Sequence, residues 1–134
     1  MCPGPAIEEV RELKASGLDV ELVEISLQCY VRVRQTGAPS PPWDRDTYEF
    51  LIAIPAAYDD AGLDGFYLGL PYQFNAGTHT RVSGGEVLYG GLSWKLVSWH
   101  YPENRPWQRG LDNLETHISH CKGFFLHRGA LNAP

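Results

Sequence analysis

The spacing of apolar residues changes early in the chain, and that change sets the predicted architecture. Over residues 6–16, Ile7, Val10 and Leu13 fall three apart with Glu8, Glu9 and Glu12 between them, the pattern of a short amphipathic helix. Pro5 suits the start of that helix and Gly17 its end. From Val20 the period is two. Val20 and Leu22 alternate with acids as far as Ile25. Over residues 28–35, Cys29, Val31 and Val33 share one face while Tyr30, Arg32 and Arg34 share the other. Residues 48–54 form the most apolar run and predict the centre of a sheet, with Pro55 ending the strand. After a bend over 56–65, Phe66-Tyr67-Leu68-Gly69-Leu70 predicts a fourth short strand.

The rest of the chain is less regular. Residues 36–44, with Gly37, Pro39, Pro41 and Pro42, predict a loop. Residues 71–91 hold five glycines and one proline among polar side chains, which predicts a long flexible loop of the kind that carries function. Residues 92–107 are aromatic-rich, with Trp94, Trp99, Tyr101 and Trp107. Residues 112–127 place Leu114, Ile118, Cys121 and Phe125 on one face of a second helix, with Asp112 as its N-cap and Glu115 three residues on. The expected fold class is α+β: an N-terminal helix, a four-stranded antiparallel meander, a long loop and a C-terminal helix, in a single domain over residues 1–134.

Composition narrows the partners. Sixteen acidic against eleven basic residues give a net charge of −5, with the basic residues scattered, so neither nucleic acid nor an anionic membrane is an expected partner. No apolar stretch approaches the roughly 20 residues that cross a bilayer. Cys2, Cys29 and Cys121 form no CxxC pair, and no disulfide framework is expected. Residues 1–5 lack a basic segment followed by an apolar run, so no signal peptide is expected and the predicted location is cytoplasmic.

Two groups carry candidate chemistry. Ser98 and His100 stand two apart, so an extended backbone points both side chains the same way, and a histidine near a serine is the minimum for an activated oxygen nucleophile. The same pair also arises by chance, and neither an oxyanion site nor an orienting acid can be located from sequence. His117, His120 and Cys121 lie at i, i+3 and i+4 of the second helix, where two of them could share a metal given another ligand such as His79 or His100. The competing reading makes Cys121 core and the histidines surface, and no metal or other cofactor is expected. Trp94, Trp99 and Trp107 read as anchors of an irregular segment rather than as a ligand groove. Gly84-Gly85 and Gly90-Gly91 fit no phosphate-binding loop.

Taken together, Ile54-Pro55-Ala56-Ala57-Tyr58, Asp64-Gly65-Phe66-Tyr67, Trp94 with Ser98-Trp99-His100, and Trp107 followed by Gly110, Asp112, Leu114, Thr116 and His117 resemble the ubiquitin-conjugating-enzyme (UBC) fold. More closely, they resemble the bacterial subgroup of prokaryotic ubiquitin-conjugating-like family E. The resemblance covers about residues 19–120. It implies a carrier in a bacterial ubiquitin-like modification pathway, with a ubiquitin-like modifier and its activating enzyme as partners. It further implies docking of that enzyme on the N-terminal helix and an association with antiphage defence.

Two departures from the family pattern shape the expected chemistry. Where conjugating enzymes carry His-Pro-Asn, this chain has Pro71-Tyr72-Gln73, leaving Asn75 as the nearby candidate for stabilising an oxyanion. Where they carry the catalytic cysteine, counting back from Trp107 reaches residues 98–100. The expectation is therefore an oxyester on Ser98 with His100 as base, supported by Asp112, Asn75, Trp94 and Trp107. A serine needs such a base because it has almost no anion at neutral pH. A non-catalytic adaptor that binds the modifier or its activating enzyme stands beside this reading.

Overall fold

The computed structural model describes residues 2–37, 46–69, 82–97 and 99–126. They form eight elements: α1 (Gly4–Ala15), β1 (Asp19–Ile25), β2 (Gln28–Thr36), β3 (Thr47–Ile54), β4 (Phe66–Gly69), β5 (Val82–Tyr89), β6 (Leu92–Val97) and α2 (Leu114–Leu126). The class is α+β. All the strands join one antiparallel sheet in the order β1-β2-β3-β4-β6-β5. The expected four-stranded sheet is thus a six-stranded one. Residues 82–89, read from sequence as part of an irregular stretch, are strand β5, turning through Gly90 and Gly91 into β6. The two pair from Tyr89↔Leu92 to Glu86↔Lys95, with a register shift between Val82 and Glu86. β6, not β5, lies beside β4, so the hairpin folds back past its own first strand.

Helix α1 takes its first turn earlier than expected, with Pro5 inside it, and buries Ala6, Val10 and Leu13. β1 and β2 are closed by Ser26 and Leu27, both at positive φ (50° and 69°), the backbone of a two-residue hairpin turn with the right-handed strand twist. Alternation then decides the two faces. Val31, Val33, Phe50, Ile52, Ile54, Phe66, Leu68 and Val97 turn toward both helices and form the main core. The aromatic rings of Tyr48, Phe50, Phe66, Phe124 and Phe125 interlock there, with Tyr48 stacked on Phe125 at 3.8 Å between centroids. Tyr30, Leu51 and Trp94 form a separate cluster. Trp94 lies against Gly69, where a Cβ would come within 2.6 Å of the indole, and its Nε1 donates to the Tyr89 carbonyl at 3.0 Å.

Cys2 and Cys29 are joined by a disulfide, contrary to the sequence expectation. It ties the residue pair ahead of α1 to the start of β2. Periodicity had placed Cys29 on the core face but said nothing of what the N-terminal segment meets there. Among the described residues no helix is long and apolar enough to cross a membrane.

Candidate active site

The bend between β3 and β4 gathers the chemistry. Tyr58 donates its hydroxyl to Glu9 Oε1 at 2.7 Å, and the same oxygen accepts the backbone N–H of Leu114 at 2.8 Å, so one carboxylate joins α1, the bend and the start of α2. Farther along, Asp64 faces His100, with its two oxygens 3.0 and 2.9 Å from Nδ1. A carboxylate accepts, so Nδ1 carries the proton and Nε2 is turned away from this contact. The pair is open to solvent, at 64% exposure for the histidine side chain and 58% for the aspartate.

Directly behind this pair is a buried layer. His117 is fully buried on α2, and its Nε2 lies 2.9 Å from the Gly65 carbonyl. That carbonyl can only accept, so Nε2 bears the hydrogen and Nδ1 accepts the Tyr101 hydroxyl at 2.6 Å. Burial outweighs the Gly65 hydrogen bond and drops the His117 pKa to about 4, keeping the ring neutral. Burial likewise raises the Tyr101 hydroxyl. His120 donates Nε2–H to the Trp99 carbonyl at 3.2 Å while Trp99 Nε1 donates to the His120 carbonyl at 2.8 Å, and the Tyr101 ring stacks on His120 at 4.0 Å. Burial depresses His120 too. Cys121 is wholly buried, its thiol pushed well up by desolvation, and it points to Gly65 O at 3.9 Å.

The segment ahead of α2 is fastened by Asp112. Its carboxylate receives Arg105 through two bonds of 2.9 Å and the Gln108 N–H at 2.7 Å, and the guanidinium holds its pKa down at about 2. Asp112 is therefore the clasp of the preceding loop, and the helix cap is Asn113. Asn113 Oδ1 accepts the Thr116 N–H at 3.0 Å and Thr116 Oγ1 accepts the Asn113 N–H at 2.9 Å, the reciprocal arrangement of a capping box one residue later than expected. Trp107 packs on Tyr101, Tyr58 and His117 and covers Gly62, where a Cβ would lie 2.5 Å from its ring.

Of the residues expected to form the site, His100, Trp107 and Asp112 gather around the bend and the start of α2, whereas Trp94 belongs to the separate cluster with Tyr30 and Leu51. Ser98 and Asn75 lie outside the described residues, as do 71–81 of the expected loop and Leu70 of the expected fourth strand. The histidines of α2 were read as surface positions; both rings instead bond backbone carbonyls through Nε2. Among the described residues no three His, Cys, Asp or Glu side chains are grouped to hold a metal ion. Sequence reasoning gave Asp64 and Tyr101 no role and weighed His117 only as a metal ligand or a surface residue, although 114, 117, 118, 121 and 125 trace one helical stripe that puts His117 with the core.

Comparison with known families matches Prokaryotic E2 family E over residues 7–126. The chain belongs to Prokaryotic E2 family E. The match takes in most of α1, all of α2, every described strand and the whole bend, extending past the motif residues to α1. Membership of Prokaryotic E2 family E points to a conjugating-type protein. No curated protein and no solved structure matches the chain. Two of its three cysteines are bonded to each other and the third is buried.

Proposed function

We propose that the chain is a carrier in a bacterial ubiquitin-like conjugation pathway and holds the modifier as an oxyester on Ser98. The observation that carries this reading is the His100–Asp64 pair: an exposed imidazole, two residues from a serine in sequence, with a carboxylate on its Nδ1. The cysteines support it from the other side, since Cys121 is buried with a raised pKa and Cys2 is bonded to Cys29.

In the proposed step the Ser98 hydroxyl attacks the C-terminal acyl carbon of the modifier, carried as a thioester by the activating enzyme. The Oγ–C bond forms and the C–S bond breaks. The hydroxyl proton passes to His100 Nε2 and from there to the departing thiolate. The exposed face of α1, with Ile7, Glu8, Arg11 and Glu12, is the proposed docking surface for the activating enzyme. Reconstitution with modifier, activating enzyme and ATP tests the reading: a covalent adduct forms on the wild type and is lost in Ser98→Ala.

The missing accessible thiol and the replacement of His-Pro-Asn by Pro71-Tyr72-Gln73 favour a second reading, a non-catalytic adaptor for the modifier or its activating enzyme. It is distinguished by tight binding to one of them without any adduct.

A further inference from the structure

We propose that Asp64 is a positioning residue that fixes His100 in its Nδ1–H form, and that buried His117 sets the place of Asp64 through Gly65. This rests on the carrier reading for its purpose but not for its geometry. Two exposed side chains by themselves hold one another weakly, so the question is what fixes the backbone beneath them. Gly65 answers it. Its φ of +59° is a left-handed conformation that suits glycine, and an added Cβ would lie 2.9 Å from the Val97 carbonyl at the end of β6. Its own carbonyl is claimed from α2 by His117 Nε2–H at 2.9 Å, with the Cys121 thiol also directed at it. Asp64 is thereby pinned between α2 and the end of the strand that leads to Ser98.

The consequence for His100 is tautomeric. With both Asp64 oxygens about the Nδ1 proton, the neutral ring keeps its lone pair on Nε2, the nitrogen left free to take a hydroxyl proton. A carboxylate–imidazole–hydroxyl series of this kind needs the carboxylate to choose the tautomer, and Asp64 meets His100 at Nδ1 rather than at Nε2.

The test is ¹⁵N NMR of histidine side chains at about pH 8, where an ordinary imidazole is neutral. Wild-type His100 is expected to show its proton on Nδ1, and Asp64→Ala to move it toward Nε2–H. His117→Leu should shift His100 in the same direction, while His117→Gln, which keeps an N–H within reach of Gly65, should leave it. If His117→Leu does not fold, Asp64→Ala on the surface still decides. Where the Ser98 adduct forms, Asp64→Ala should slow its formation about tenfold to a hundredfold. An Nε2–H wild-type ring, or one that Asp64→Ala leaves unchanged, overturns the proposal. The expected tautomers without any Ser98 adduct would remove the carrier reading and leave the positioning role standing.

Discussion

The Tyr101 hydroxyl lies 2.6 Å from Nδ1 of His117, and that contact, with Nε2 turned to the Gly65 carbonyl, uses both nitrogens of a ring that has no exposure to water. A proton added to Nδ1 would turn the Tyr101 hydroxyl from donor to acceptor and place a charge in the core.

The first prediction concerns acid stability. His117 titrates at its ordinary value of 6.5 when unfolded and at about 4 when folded. Between those values the unfolded state binds more protons, so stability is full above the window and falls as the pH drops through it. The gap corresponds to about 3 kcal/mol. His120, also depressed by burial, acts in the same sense. Asp112 acts lower: its contribution is present above its ordinary 3.8 and is lost as the pH falls toward about 2. Urea unfolding between about pH 7 and pH 4.5 should show wild type losing stability faster than His117→Gln; equal slopes would contradict the assignment.

A second prediction follows from Trp107 resting on Gly62. A methyl group at position 62 would meet the indole at 2.5 Å, so Gly62→Ala should destabilise by about 1–3 kcal/mol and alter tryptophan fluorescence. An unchanged denaturation midpoint would mean that the loop before α2 does not lie on the bend.

Legibility varied with how local the determining interaction is. The first helix and the strands over residues 20–54 could be read because each period is written in a contiguous run. β5 could not, because Ser83-Gly84-Gly85 interrupts any alternation and its pairing with β6 includes a register shift. That β4 meets β6 rather than β5 is a long-range choice with no local trace. At the site, His100 was visible as a residue two from a serine, but its partner Asp64 is 36 residues away. The Cys2–Cys29 pairing and the role of Glu9 are likewise matters of tertiary proximity.

The third prediction separates Asn113 from Asp112. Asn113→Ala removes the side-chain oxygen that accepts the Thr116 N–H and should cost about 1 kcal/mol, read as a shift in urea midpoint. Asp112→Asn keeps that cap and should instead loosen residues 105–112, seen as faster amide exchange at Gln108, whose N–H loses its carboxylate partner.

The fourth concerns the disulfide. Cys2 and Cys29 are 27 residues apart, and closing a loop of that size stabilises by about 3.5 kcal/mol in the chain-entropy account. Thermal unfolding should therefore fall on adding reductant in wild type and not in Cys2→Ser. A reductant-insensitive wild type would show that the two thiols are not joined.

The central claim is the oxyester on Ser98, and mass spectrometry of the reconstituted adduct tests it most directly. After ATP-dependent charging, the adduct should survive reductant and map to the peptide containing Ser98. In Ser98→Cys it should become a thioester that reductant removes. An adduct that reductant cleaves in wild type, or that maps to Cys29, Cys121 or a lysine, would contradict the account.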